Sequence, residues 1–382
     1  MAELDRIVEE LNATTAAREK RVADRLAGDD HRLVSLLRET VILGASDLLL
    51  VSGLPPTARV RGDLMRLKGA ELDSLEIEEI VFPELPVHAV KAYRDGRSAD
   101  ASLRLPGLGR FRVNLHRERG RAAAAIRALP TKPPALRALN LPQEMDRISR
   151  IARGLVLIAG ATGSGKTTTL AAIVNEINHR DARHIVTIED PIEYEHPHAR
   201  CVVEQVEVGI DAPDFPTALR SSMRQAPDVI VVGEMRDAET MRTALAAAET
   251  GHLVLSTLHA GDTPSCVARI ADSFPAERQP MIRQEIAMGL AAVITQVLLP
   301  KQGGGRIPAT EILMVGYGAR QLIRRNQLQN LHQEITITRP YGSMTFEECL
   351  SRLVKAGQVT TQDAMTAAVH PEDLEALLRT LP

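Results

Sequence analysis

From residue 155 onward, short apolar runs and amphipathic stretches take turns along the chain. Residues 155–159, 185–188, 229–232 and 253–255 are largely apolar, as strands buried on both faces are. Leu170, Ile173, Val174 and Ile177 stand at i, i+3, i+4 and i+7 and predict a helix after Lys166 with one buried face. Alternating β and α predicts an α/β domain, a parallel sheet covered by helices. Upstream the pattern differs. Between residues 33 and 129, β-like runs at 48–51, 58–60 and 110–115 mix with helical stretches and Pro-Gly punctuation, which predicts a small α+β domain. Residues 130–134 hold three prolines, which forbid helix and stiffen the chain as an interdomain linker does. The expected organisation is a helical, charged extension over residues 1–30, an N-terminal α+β domain over 31–135, and an α/β domain over 136–382, with the C-terminal third mostly helical.

Composition narrows the classes. With 382 residues, 44% hydrophobic and 25% charged, the chain can bury more than one core and is neither disordered nor fibrous. Aromatics are only 2%, without tryptophan, which removes the stacking faces that single-stranded nucleic acid needs. A net charge of −3 also weighs against a generally basic nucleic-acid binder, so no direct nucleic-acid partner is expected. Cys201, Cys266 and Cys349 are far apart and odd in number, giving neither a disulfide framework nor a metal clip, and a reducing cytoplasmic compartment fits them best. The N-terminal MAELDRIVEELNA is acidic and amphipathic, where an export signal is basic and then apolar. No run reaches the ~18 apolar residues of a membrane span; even 286–299 is broken by Gly289, Thr295 and Gln296. Any membrane association is expected to go through a partner.

The strongest chemical signal is Gly160, Ala161, Thr162, Gly163, Ser164, Gly165, Lys166 and Thr167, which satisfy GxxxxGK[ST] between an apolar strand and an amphipathic helix. Glycines let successive backbone N–H groups wrap a phosphate at the positive helix end, Lys166 neutralises β- and γ-phosphate charge, and the Thr167 hydroxyl can ligate Mg²⁺. With Thr168, these residues form the expected ATP site. The strand run 229–232 ends in Gly233 and Glu234, resembling a Walker B strand with glycine where the metal-binding aspartate often stands. Glu234 is therefore the expected orienter of the attacking water. A second acidic cluster, Glu189, Asp190 and Glu193, follows the strand 184–188, and parallel strand ends share one crevice. Glu189 is the alternative base or a Mg²⁺ ligand through water.

His252 and His259 bracket another strand at a spacing that matches no zinc motif. His259, at the strand's far end, is expected to sense the γ-phosphate or to bond a catalytic carboxylate. Residues 94–137 carry ten arginines and Lys132 against Asp95, Asp100 and Glu118, an excess of +8 that calls for an anionic partner. Arg112 and Arg127 are the expected arginine fingers, groups that stabilise charge in phosphoryl transfer and often come from a neighbouring subunit.

Taken in order and spacing, GATGSGKT, TIEDPIEY, APDVIVVGEMRD and AETGHLVLSTLHAGD resemble the Walker A, Asp box, Walker B and His box of PilT-like secretion ATPases. GASDLLLVSGLPPTARVRGDL and GRFRVN upstream, and FPAERQ and GARQLIRR downstream, extend the resemblance over most of the chain. It implies a PAS-like N-terminal domain, a RecA-like ATPase domain and a cytoplasmic homohexamer that uses ATP and Mg²⁺. It also implies action on an inner-membrane platform protein, peripheral to that membrane, to retract a type IV pilus and power twitching motility. Arg112 and Arg127 fall where the family places nucleotide-contacting arginines. GARQLIRR keeps Arg320, Leu322, Ile323 and Arg324 of the AIRNLIRE common in retraction motors and reverses the last charge at Arg325. Ala226, where aspartate is usual, resembles PilU-like accessory motors, so a paralogous motor ATPase is an implied partner. The alternatives are a related type II/IV secretion or conjugation ATPase and, disfavoured by charge and aromatic poverty, a RecA-like nucleic-acid translocase.

Overall fold

A computed structural model describes residues 32–130 and 132–379; the expected N-terminal extension lies outside them. The chain divides into two compact units, Met1–Pro130 and Thr131–Pro382.

The first unit is a six-stranded antiparallel sheet in the order β3-β2-β1-β6-β5-β4. Its strands are β1 (Asp47–Val51), β2 (Thr57–Val60), β3 (Asp63–Arg66), β4 (Ala99–Leu105), β5 (Gly109–Glu118) and β6 (Arg121–Leu129). The runs read at 48–51, 58–60 and 110–115 lie within β1, β2 and β5. Period-2 alternation sends Leu48, Leu50, Phe111, Val113, Leu115 and Ile126 to one face. There they pack on helices α1 (Arg32–Ile42), α2 (Ser74–Val81) and α3 (Val87–Arg94) through Leu33, Leu37, Ile77, Val81 and Tyr93. Asp73 starts α2 with a capping box, accepting from Glu76 N–H while the Glu76 carboxylate accepts from Asp73 N–H.

The second unit is built on a seven-stranded sheet in the order β13-β12-β7-β11-β10-β8-β9. The strands are β7 (Gly154–Ala159), β8 (His184–Glu189), β9 (Val202–Glu207), β10 (Val229–Val232), β11 (Leu253–Leu258), β12 (Leu290–Pro300) and β13 (Arg306–Met314). All pairings are parallel except the β12–β13 hairpin. Every residue of β7, β10 and β11 is buried, because helices cover both faces. Leu155 and Leu157 face a core shared with α5 (Ala238–Glu249), α6 (Thr263–Asp272), α7 (Gln279–Gly289) and α8 (Tyr317–Arg324); Val156 and Ile158 face α4 (Lys166–Arg180) and the helix Phe346–Lys355. Helices make up most of the regular structure in the C-terminal third, as expected, and the β12–β13 hairpin adds two strands that the pattern of runs did not predict. β12 sits inside the sheet beside β7 because its Ala292, Val293 and Ile294 supply buried apolar surface on both sides. Among the described residues no helix is long and apolar enough to cross a membrane.

Candidate active site

The strand order sets β7, β11, β10 and β8 side by side and parallel, so four carboxyl ends open on one edge of the sheet. Gly160 to Gly165 follow β7, Glu189 ends β8, Glu234 follows β10 and His259 follows β11. The structure thus brings together Lys166, Glu189, Glu234 and His259.

The loop from Gly160 to Gly165 leads into α4 through backbone that only glycine adopts readily, with φ of +154° at Gly160, +79° at Gly163 and +88° at Gly165. Lys166 folds its Nζ back onto the loop, donating to the carbonyls of Gly160 and Ala161 at 2.9 Å each. It is buried, not solvent-facing, and burial lowers its pKa although the Glu234 charge works against that. Ser164 Oγ is buried without a protein partner, and the Thr167 hydroxyl stands in the first helical turn. An orphaned hydroxyl, a buried ammonium and the free N–H groups of a helix start fit a chain of phosphates. Thr168 Oγ1 lies 3.0 Å from the hydroxyl of Tyr194, which ties the Asp-box loop to the same helical turn. Beside the loop opens a cavity of about 350 Å³ lined by Leu139, Asn140, Thr168, Leu298, Arg306 and Pro308.

Glu234 is held at both oxygens. Oε1 is 3.2 Å from His259 Nε2, and Oε2 accepts from Arg236 Nε at 2.9 Å and meets its Nη2 at 2.8 Å. At Gly233 a side chain would meet the carbonyl of Ile188 at 3.3 Å, so glycine suits the close packing of this strand end against the end of β8. Glu189 is close by on β8 and accepts from Thr187 Oγ1 at 2.7 Å and from Gln205 Nε2 at 3.2 Å. Burial raises its pKa above the usual carboxylate value, over the opposing hydrogen bonds from Thr187, Gln205 and the Glu193 backbone.

Arg112 and Arg127 lie in the first unit and oppose each other across β5 and β6. Two like charges so placed repel, and acids separate them: Arg127 Nε donates to Asp47 at 2.8 Å, and Arg112 lies 3.4 Å from Asp100. Burial pushes the Asp47 pKa up, but hydrogen bonds from Arg127 and Ser46 and the charges of Arg127 and Arg59 outweigh it and hold the group below its usual value.

Several side chains at the site were not singled out from sequence. Thr257 Oγ1 donates to the carbonyl of Gly233 at 2.6 Å and Ser256 Oγ to that of Val232 at 2.7 Å, pinning the end of β10 from β11. Arg236 clamps Glu234. Gln296, on β12, donates to the Ser164 carbonyl and accepts from Thr169. The signal for Ser256, Thr257 and Gln296 is polarity inside otherwise apolar strands, in LVLSTL and AAVITQVLL.

A phosphate-wrapping loop after the first strand of a mostly parallel sheet, facing two strand-end carboxylates, defines a P-loop ATPase of RecA-like fold, preceded in the chain by a PAS-like α+β domain. The model of the type II/IV secretion system protein family matches residues 124–303. The chain is 40% identical to the type IV pilus retraction ATPase PilT of Pseudomonas aeruginosa, over 89% of this chain and 99% of that protein. It is 36% identical to the type IV pilus ATPase PilU of the same organism, over 90% of each. Among solved structures, the pilus retraction motor PilT with bound ADP superposes with a TM-score of 0.81 at 39% identity, covering 91% of this chain and all of that one. The chain belongs to this family of pilus-retraction and secretion ATPases, and it is an ATPase.

Proposed function

We propose that this chain is the motor of type IV pilus retraction, a homohexamer that hydrolyses ATP in the cytoplasm and acts on an inner-membrane platform protein, alongside a paralogous motor ATPase. The observation that carries the hydrolytic part is Glu234, fixed between Arg236 and His259 on the strand edge that holds Lys166. Near-full-length identity with a retraction ATPase supports the pilus part.

In this reading Gly160 to Thr168 bind the phosphates, with Lys166 leaving its two loop carbonyls to meet the β- and γ-oxygens. The cavity along Leu139, Leu298 and Pro308 receives the base. Thr167 would hold Mg²⁺ directly and Glu189 through water, and the ion would neutralise charge on the phosphate oxygens. Ionised Glu234 orients water toward the γ-phosphorus, and His259 and Arg236 keep its carboxylate in place. Arg112 and Arg127 supply cationic charge to a neighbouring subunit's nucleotide.

Deletion of the gene in its host, with surface pili counted and twitching scored, tests the cellular role. Excess pili without twitching is expected; normal piliation and motility would overturn it.

A further inference from the structure

We infer that Gln296 is a positioning residue that fixes the Ser164–Gly165 peptide so that the Gly165 N–H faces the phosphate cradle. The inference rests on the nucleotide site proposed above and assigns part of its shape to a neighbouring strand.

Gln296 is almost fully buried, 2% exposed, in the middle of apolar β12. A buried primary amide is costly unless both ends are bonded, and a packing role alone is served better by leucine or methionine. Both ends are bonded here, and to the same short segment. Nε2 donates to the carbonyl of Ser164 at 2.7 Å, and Oε1 accepts from Thr169 Oγ1 at 2.8 Å in the first turn of α4. The backbone carbonyl of Ser164 can only accept, so the amide has one workable orientation.

Peptide geometry carries the consequence. Among the described residues the cis bond is Asp190–Pro191, so the Ser164–Gly165 bond is trans, and in a trans peptide C=O and N–H point in opposite directions. A carbonyl drawn toward β12 turns the Gly165 N–H away from it, to the side where the loop wraps.

The glycine that ends the loop answers to the same side chain. A Cβ at Gly165 would stand 2.8 Å from Gln296 Nε2, whereas one at Gly160 would meet the backbone carbonyl of Gln296. Gly165 therefore makes room for the brace as well as bending the backbone, and Gly160 makes room for the main chain of β12.

Two substitutions test this, with ADP affinity measured by calorimetry and melting temperature recorded without nucleotide. Gln296→Met keeps length and removes both hydrogen bonds; about tenfold weaker ADP binding is expected, independent of pH. Gln296→Glu sets an ionised carboxylate against the Ser164 carbonyl at about pH 8; burial at this position raises the carboxyl's pKa above its ordinary value, so at about pH 5.5 a larger protonated fraction can again donate to the carbonyl. Its deficit relative to wild type is expected to shrink as pH falls.

Wild-type ADP affinity in Gln296→Met, or a Gln296→Glu deficit equal at both pH values, would overturn the inference. Should Gln296→Glu fail to fold, Gln296→Met decides alone. Lys166→Ala separates the two levels of argument: undiminished ADP binding in that variant would sink the nucleotide site itself, while a loss there beside unaffected Gln296 variants would sink only the brace.

Discussion

Glu234 Oε1 lies 3.2 Å from Nε2 of His259, a contact between groups that end two neighbouring parallel strands. The ladder pairs Val232 with Ser256, and Thr257 then bonds the Gly233 carbonyl, so hydrogen bonds of the sheet set the spacing. A carboxylate placed this way needs no substrate to organise it, which is the preorganisation that hydrolysis requires.

Glu234→Gln is accordingly expected to bind ATP as wild type does and to lower kcat about 100-fold or more, since the amide keeps the shape and loses the charge that polarises water. Phosphate release and nucleotide affinity measured together check it. A dead Glu189→Gln beside an active Glu234→Gln would exchange the two roles.

Lys166→Ala is expected to abolish turnover. It also removes the donor to two loop carbonyls, so the fold should persist with about 1–2 kcal/mol less stability. Hydrolysis near the wild-type rate would refute the phosphate-binding role, and a thermal melt reads the smaller effect.

How much of this was legible depends on the range of the interaction. The phosphate loop was readable because its chemistry is local: Gly160, Gly163 and Gly165 bend backbone within six residues. Glu189 and Glu234 stood out as the charges that follow apolar strands. Gln296 did not, because its partner Ser164 is 132 residues away and only the β7–β12 pairing brings them together. β6 hid for a different reason. Its RAAAAIRAL favours helix by intrinsic propensity, yet pairing with β1 on one side and β5 on the other overrides that.

Burial raises the Glu189 pKa, so between the ordinary carboxylate value and the folded one the native state holds more protons than the unfolded chain. Stability then falls as pH rises through that window, and above it the ionised, buried group is a standing cost. Glu189→Gln is expected to raise the melting temperature at neutral and alkaline pH, with the gain fading toward acid, where both states carry the proton. A gain that grows on acidification would contradict the assignment of burial as the cause.

Arg127 is largely exposed on its sheet face and bonded to Asp47, so Arg127→Ala should cost the first unit no more than about 1 kcal/mol. Loss of ATPase activity is expected nonetheless. If the guanidinium serves a neighbour, inactive Arg127→Ala and inactive Glu234→Gln subunits mixed in one ring should recover activity. No recovery in confirmed mixed rings would assign Arg127 to its own chain or to structure.

Arg320 and Arg324 share a helix face in α8, where their four-residue spacing on a polar face far from the phosphate loop in sequence suits either a docking or coupling surface or solvated surface charge. The structure separates them from that simple picture. Arg320 is half-buried, and its Nη1 donates to the carbonyls of Ala287 and Met288 at the C-terminal end of α7, where a cation also meets the negative end of the helix dipole. α7 in turn packs on α5 at Gly289, where a side chain would meet Ala248 and the Leu245 carbonyl at 3.6 Å. The helix that starts just beyond Glu234 and Arg236 is thus joined through α7 to α8. Arg320→Ala should therefore lower stability by about 1–2 kcal/mol, a few degrees in melting temperature, which a solvated surface arginine would not do. ATPase activity is expected to stay within a few-fold of wild type, because α8 carries no group of the phosphate site, whereas pilus retraction in cells should be lost. Unchanged melting would remove the clamp, and normal retraction in a destabilised Arg320→Ala, Arg324→Ala double variant would confine these arginines to holding the fold.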